Sequence, residues 1–261
     1  AAVAVLVLAF WATLAARSRY RERRTAIRAW NRTSPVVRRG IALTPVKFGI
    51  SFTATHYNQA GALVHVYRDG TVLLNHGGTE MGQGLFTKVQ QVVARELGIP
   101  LASVRVSAAD TSKVPNASPT AASSGSDLNG MAARDACRTL RAGLAAFAAR
   151  KLGGEPDAIT FRDGVVSAGD RSLTFAELAR SAYFARVPLS ATGFYATPKV
   201  HYDRTTLSGR PFFYFAYGAA VAGVAIDTLT GEHRLLAVDI LHDVGDSLNA
   251  AIDRGQIEIG R

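Results

Sequence analysis

The sequence predicts an α+β domain, with mixed sheets built on antiparallel hairpins and packed by separate helices. Three observations predict it. Strand-like runs flank Asp69-Gly70, Asp163-Gly164 and Thr230-Gly231, the turn chemistry of hairpins. Elsewhere apolar residues recur at helical spacing, with stop signals behind them. The chain of 261 residues is 48% hydrophobic and 19% charged, so it can bury a core and is neither disordered nor collagen-like.

The elements follow in order. Residues 1–16 (AAVAVLVLAFWATLAA) are almost wholly apolar. They fall short of the roughly 20 residues of a membrane span. The basic cluster RSRYRERR follows them rather than preceding them, the reverse of a signal peptide. They admit three readings: a signal anchor with its basic cluster inside, a buried helix, or residues translated outside the native frame. Residues 19–32 form an exposed basic helix that Asn31 to Pro35 breaks. Residues 41–53 alternate as a strand, and 62–67 with 71–76 make a hairpin around Asp69-Gly70. Leu85, Val89, Val92, Val93 and Leu97 give 82–97 a helical face, ended by Gly98 and Pro100. A short strand over 103–107 follows. Ser126-Asp127 starts a helix that runs to about Lys151, with Cys137, Leu140, Leu144 and Phe147 on one face. A short hairpin flanks Asp163-Gly164, and 175–185 is a short helix. Strands near 212–227 and 233–243 pair through Thr230-Gly231, and a last helix starts near Asn249.

Charge and composition exclude several function classes. Net charge is +10, but residues 1–40 hold nine arginines and a single glutamate, so the rest is nearly neutral. A nearly neutral body is not a nucleic-acid-binding one. One cysteine, Cys137, excludes an internal disulfide framework and a Cys-only zinc or iron–sulfur site. On an apolar helix face it reads as an inert core residue. The six histidines show no HExxH spacing, and no side-chain metal site is expected. No Gly-x-Ser-x-Gly elbow supports a hydrolase triad.

Two loops carry candidate chemistry. His76-Gly77-Gly78-Thr79-Glu80-Met81-Gly82-Gln83-Gly84 places four glycines in eight residues between a strand and a helix. Glycine lets backbone approach a ligand, and a helix N-terminus offers free amides to an anion. Neither a Walker loop nor a GxGxxG fingerprint is present. Gln83 offers an amide, donor and acceptor, at the loop tip. The plain alternative is a tight turn that only packs. The second loop, Ser118-Pro119-Thr120-Ala121-Ala122-Ser123-Ser124-Gly125-Ser126-Asp127, runs small and hydroxylated residues into a helix start. It suits a phosphate, and its plain alternative is an ordinary capped loop. Together the two loops point to an anionic, phosphate-bearing cofactor.

At these loops the chain resembles a known family. KFGISF (47–52), NQAGALVHVY (58–67), HGGTEMGQGL (76–85), VPNASPTAASSGSDLNG (114–130), LSATGFY (189–195), FFYFAYGAA (212–220), DTLTG (227–231) and DVGDSLNAAIDRGQIE (243–258) are similar to the molybdenum-binding part of the xanthine dehydrogenase/aldehyde oxidase family. The resemblance runs from about residue 19 to 258. KFGISF, NQAGA and LSATGFY lean toward the xanthine branch.

The resemblance implies part of a molybdopterin-binding domain of a cytoplasmic enzyme of purine catabolism. Such enzymes hydroxylate hypoxanthine and xanthine at a molybdenum–molybdopterin centre, with water as the oxygen source. Electrons leave through [2Fe–2S] clusters and FAD on other segments or a partner subunit, in a complete enzyme that commonly forms an oligomer. Gly82 and Gln83 are implied to lie at the cofactor, with Gln83 near the molybdenum but not ligating it. Lys88, Ser123, Ser124, Gly125 and Gln256 are implied as further cofactor contacts. Phe52 is implied to stack on the purine, and Ala121 and Ala122 to leave it room. The family's proton-accepting glutamate, in a Gly-Glu-Pro/Leu motif, belongs beyond residue 261, so no catalytic residue is expected in this chain. Glu80 is expected to be structural.

Residues 1–16, and Ile-Gly-Arg after Glu258, depart from the family pattern. The expected organisation is therefore an unmatched apolar segment over 1–18, a partial cofactor-binding domain over 19–258 and a truncated end over 259–261. That fits an exon-like or frameshifted fragment, inactive alone. The alternatives are a non-catalytic membrane-anchored binding protein and an aldehyde oxidase-type hydroxylase.

Overall fold

The computed structural model describes residues 2–259. The expected end segment 259–261 lies outside them except for the backbone of Ile259. In chain order the elements are α1 (Ala2–Arg17), α2 (Tyr20–Thr33), β1 (Val37–Ile50), β2 (Gln59–Val66), β3 (Val72–His76), α3 (Leu85–Leu97), β4 (Val104–Val106), α4 (Gly125–Leu152), β5 (Thr160–Arg162), β6 (Val165–Ala168), β7 (Arg171–Thr174), α5 (Phe175–Phe184), β8 (Ser190–Ala196), β9 (His201–Asp203), β10 (Ser208–Arg210), β11 (Tyr214–Asp227), β12 (His233–His242) and α6 (Ala250–Ile259). They fall into two compact units, residues 51–213 and residues 1–50 with 214–261. The class is α+β with mixed sheets, as the hairpins and separate helices predict.

In the 51–213 unit, a four-stranded sheet runs in the order β4-β3-β2-β8. The β2–β3 hairpin closes at Asp69-Gly70. Asp69 Oδ1 accepts from the Thr71 amide at 2.9 Å, and Gly70 takes φ 83°. β3 then passes through α3 into β4, which pairs with it in parallel, Val72 opposite Val104. This is a β–α–β crossover inside an otherwise antiparallel sheet. Helix α3 stops at Gly98, whose φ of 65° suits glycine; its amide bonds Arg95 O at 3.3 Å.

The core lies between this sheet and α3 and α4. Along α4, Leu128, Ala132, Ala136, Leu140, Leu144 and Ala148 are buried four residues apart, one face of a helix. Its alanines allow close approach to β8. Gly193 faces the backbone at Ala132 and Ala136, leaving no space for a side chain. At the other end of α4, β5-β6-β7 form a small sheet that contributes Phe161 and Val166 to the core. α5 starts with a Thr174/Glu177 capping box. Strands β7 to β10 are not legible in the sequence, being short or irregular in alternation.

The other unit is a three-stranded antiparallel sheet, β1-β11-β12, with the β1–β11 register running from Val37 opposite Asp227 to Ile50 opposite Tyr214. The strand expected over 41–53 starts earlier and ends at Ile50. α1 lays Leu14 on Ala219 and Val221, while Val5 and Leu8 are 64% and 63% exposed. Among the described residues, no helix is long and apolar enough to cross a membrane. α2 is the exposed basic helix, and its polar residues bind it to the sheet. Asn31 exchanges two hydrogen bonds with the Arg39 backbone at 2.8 and 2.9 Å. Arg23 pairs with Asp239 at 2.7 Å, and the Arg39 guanidinium stacks 3.7 Å over Trp30. Part of the local positive charge thus serves structure.

Candidate functional site

The parallel pairing of β3 and β4 decides where the two candidate loops go. Loop 77–84 leaves the carboxyl end of β3 and enters α3; the chain after β4 leaves the same edge and enters α4 through loop 118–124. Crevices at the carboxyl ends of parallel strands are where such sheets bind ligands. The loops are tied together: the Thr79 amide donates to Thr120 Oγ1 at 2.8 Å. Gly78 lies against α4 so closely that a Cβ there would sit 2.6 Å from Asn129 Nδ2.

Phe52 joins the same place. Ser51, at φ 127°, donates its amide to Ala122 O at 3.4 Å. Buried Asn58 then clamps Phe52, accepting from its amide at 2.7 Å and donating to its carbonyl at 2.9 Å. The Phe52 ring stands edge-on to Tyr57, centroids 5.4 Å apart. Ser118 Oγ bonds the Tyr57 and Gln59 carbonyls, pinning the second loop to this segment.

The two helix starts differ. At α3 the free amides expected from the sequence are already taken. Glu80 Oε1 accepts from Gly82 and Gly84 at 2.9 and 3.0 Å, and its Oε2 accepts from Phe86 at 3.0 Å. Desolvation opposes ionisation of Glu80, but the amides of Phe86, Gly84, Gly82 and Leu85 outweigh it and hold the carboxyl below its ordinary range. The chain's own anion fills that site, so no ligand anion is needed there. Glu80 is structural, as the resemblance implies.

At α4 the residue before the helix, Ser124, makes no side-chain cap. Ala122 and Ser123 are both left-handed at φ 54° and turn the chain into the helix. Ser124 is buried and turned inward, its amide and hydroxyl donating to Ala121 O at 3.3 and 3.0 Å. Gly125 and Ser126 begin the helix, where amides have no intrahelical acceptor and the dipole favours an anion. Asp127 shares this turn.

Gln83 folds back on its own loop. Its Oε1 accepts from the Met81 amide at 2.6 Å, and its Nε2 donates to Thr79 O at 2.9 Å. An amide has two lone pairs and two N–H bonds, so Gln83 keeps one of each for a ligand while holding the turn. Gly82, at φ 99°, has open space where a Cβ would be. Lys88 lies one turn into α3 and is half-buried. Gln256 is exposed on α6, in the other unit. The structure thus gathers Phe52, Gly82, Gln83, Ala121, Ala122, Ser123, Ser124 and Gly125 into one neighbourhood of the 51–213 unit.

A Gly-Glu-Pro tripeptide does occur within the chain, at 154–156. Glu155 is exposed just past the carboxyl end of α4, a helix of 28 residues. At about 1.5 Å per residue this is roughly 40 Å from the loops, too far for proton transfer there. Among the described residues, no group of three or more His, Cys, Asp or Glu side chains could hold a metal ion. Thr79, Thr120 and Asn58 organise the site without any sequence signal beyond lying in or beside polar loops.

These features suit an extended, phosphate-bearing organic cofactor. They comprise small residues at the edge of parallel strands, an uncapped helix start and a glycine loop with a half-used amide. The profile of the molybdopterin cofactor-binding domain family matches residues 13–260. The chain belongs to this family, as a cofactor-binding domain of the molybdenum hydroxylases. It is 50% identical over 250 residues to the xanthine dehydrogenase of Oryza sativa subsp. japonica, 96% of this chain and 17% of that protein. It is 46% identical over 248 residues to the xanthine dehydrogenase/oxidase of Mus musculus, 95% of this chain and again 17% of the relative. The chain therefore spans about a sixth of the length of these curated relatives. Among solved structures, quinoline 2-oxidoreductase from Pseudomonas putida 86 superposes with a TM-score of 0.75 at 22% identity, covering 97% of this chain and 33% of that one. Carbon monoxide dehydrogenase from Oligotropha carboxidovorans does so at 0.75 and 20%, covering 97% and 32%. At those identities the likeness concerns the fold.

The residues present fit a molybdenum–molybdopterin cofactor. The open face at Gly82, the unused half of the Gln83 amide and the uncapped start of α4 suit a flat, anionic group.

Proposed function

We propose that this chain forms cofactor- and substrate-facing walls of a molybdenum hydroxylase of the xanthine dehydrogenase type, acting on hypoxanthine and xanthine with water as the oxygen source. One observation carries the reading: two loops at the carboxyl ends of parallel β3 and β4, joined by Thr79 and Thr120, border an uncapped helix start. Of the expected Ser123, Ser124 and Gly125, Ser123 and Gly125 present the turn that receives a phosphate, while Ser124 is turned inward to Ala121 and holds that turn. Gln83 and Gly82 line the cofactor's reactive end, and Lys88 adds a contact to it; Gln256 lies in the other unit, and its cofactor contact rests on the resemblance alone. Phe52 offers a ring face to a purine, and Ala121 and Ala122 keep the approach open by being small. When bound, molybdenum–molybdopterin accepts the two electrons of the hydroxylation.

The chain's own residues position, orient and exclude. Glu80 is committed to the α3 amides and so offers the reaction no free carboxylate. On this reading the chain is inactive by itself. Its one cysteine is buried, so the [2Fe–2S] clusters belong to other segments or a partner; the family resemblance puts FAD there as well, in a cytoplasmic, oligomeric enzyme.

The test uses the protein that carries this chain, produced in a molybdenum-cofactor-making host. Molybdenum by mass spectrometry and oxidised pterin by fluorescence report cofactor. A Cβ at Gly125 meets Leu85 and Thr120 no closer than 3.5 Å, so substitution there is sterically open. Gly125→Asp puts a negative charge where the phosphate sits and should cut cofactor content at least tenfold, while Gly125→Ala retains it. Ala121→Phe should keep cofactor but raise KM for hypoxanthine. Unchanged cofactor in Gly125→Asp overturns the cofactor assignment, and an unchanged KM in Ala121→Phe overturns the substrate assignment.

A further inference from the structure

Behind the glycine loop lie two buried side chains that neither the cofactor nor the substrate reading uses. His76 ends β3 and is 1% exposed; Asn129 sits one turn into α4 and is 5% exposed. Among the described residues, three buried side-chain polar atoms have no hydrogen-bond partner. They are Arg39 Nε, His76 Nε2 and Asn129 Oδ1. Arg39 belongs to the other unit, where its guanidinium stacks on Trp30. The remaining two come from His76 and Asn129, and their chemistry is complementary.

The chemistry follows from the bonds each side chain does make. His76 Nδ1 accepts from the Gly78 amide at 3.1 Å, so Nδ1 carries no proton. The neutral ring then carries its hydrogen on Nε2, which is a donor. Asn129 donates through Nδ2 to Gly125 O at 2.8 Å, which turns Oδ1 away from that carbonyl as an acceptor. Both side chains flank Gly78: its amide lies 3.1 Å from His76 Nδ1, and a Cβ on it would sit 2.6 Å from Asn129 Nδ2, so the two are neighbours. The structure holds these two atoms without a bond to each other or to any other group; a buried donor beside a buried acceptor gains by pairing, because left apart each has lost its hydration for nothing.

The geometry points to His76 and Asn129 as a positioning pair: His76 Nε2–H engages Asn129 Oδ1 and latches the glycine loop 77–84 to the first turn of α4. Each partner already holds one side. His76 grips Gly78 in the loop, and Asn129 grips Gly125 at the helix start. Gly78 is what lets them meet, because any side chain there would strike Asn129 and Leu85. The link fixes the Gln83 turn relative to the α4 amides before anything binds. What those two edges face rests on the proposed function; the latch itself does not.

Conservative variants separate the parts. His76→Asn keeps an acceptor near Nδ1 and loses the Nε2 donor. His76→Gln keeps a donor near Nε2 and loses the acceptor. Asn129→Leu keeps the volume and loses Oδ1. Amide hydrogen exchange is read over 77–84 and 123–130 in the protein with and without cofactor, alongside the rate of pterin release. His76→Asn and Asn129→Leu should each speed exchange in both segments at least tenfold. The double variant should be no worse than the worse single. His76→Gln should restore exchange over 123–130. Additive effects, or effects confined to one segment, overturn the latch. Exchange coupling with unchanged pterin release upholds the latch and instead overturns the cofactor-facing reading. Should the variants fold poorly, nitrogen NMR of the unaltered protein decides. A protonated Nε2 and bare Nδ1 support the latch, and the opposite tautomer overturns it.

Discussion

Replacing Glu80 with glutamine removes one charge and changes one atom, yet three hydrogen bonds depend on it. The new side-chain amide could keep its Oε1 for the Gly82 and Gly84 amides, now as neutral bonds. Its Nε2 would face the Phe86 amide, donor against donor, and lose that bond. A hydrogen bond to a charged group contributes about 1.5–3 kcal/mol net. A negative charge in a first helical turn adds roughly 0.3–1 kcal/mol. The loss is then about 2–3 kcal/mol, a factor of roughly 30–150 in local opening. Hydrogen exchange over residues 78–88 measures it directly, because the opening is local to the loop and the start of α3.

The pH dependence has a defined sign. Glu80 is held below its ordinary pKa of 4.5 in the folded chain. Its stabilisation is therefore complete above that value and is lost as pH falls through the folded one. The difference between the natural protein and Glu80→Gln should shrink on acidification. Exchange within threefold of the natural protein, or a difference that persists unchanged in acid, would refute the assignment of Glu80 as the cap of α3.

Two further outcomes test the packing. Gly193→Ala drives a Cβ into the backbone of α4 at Ala132 and Ala136, which cannot move aside without shifting the helix. It should cost at least about 3 kcal/mol, read as a lowered urea midpoint at unchanged slope; a loss below about 1 kcal/mol would show that β8 and α4 are not in that contact. The Cys137 thiol is pushed up to about 12, first by burial and then by Glu96. At pH 8 it should resist a maleimide in the folded protein and react fully in denaturant, so rapid native labelling would contradict its burial.

Much of the fold was legible, for local reasons. The Asp69-Gly70 hairpin has the turn residues its backbone requires, and the Leu85 to Leu97 face repeats at helical spacing. Ser126-Asp127 announced the start of α4 within a residue. The motif residues of the site stand contiguous in two loops, which is why a sequence pattern could carry them. Free amides at α3 were a fair inference from a glycine loop entering a helix. They were mistaken because Glu80 reaches forward to them, and side-chain reach is not written in spacing. Strands β7, β9 and β10 were missed because three or four residues carry too little alternation to register. β8 is longer, but its Ser190, Thr192 and Gly193 break the apolar alternation.

The sequence by itself determined the turns, the helical faces, the two loops of small residues and the likeness to molybdenum hydroxylases. These depend on residues close together along the chain. Only the tertiary structure decided that β3 and β4 run parallel, and hence that both loops emerge at one edge and are tied by Thr79 and Thr120. It alone brought Phe52 beside them through Ser51 and Ala122, and placed His76 and Asn129 on either side of Gly78. The reason is physical. Strand direction, and contacts between residues some 40 to 70 positions apart, are settled by which surfaces the whole core buries, and no local pattern encodes that choice.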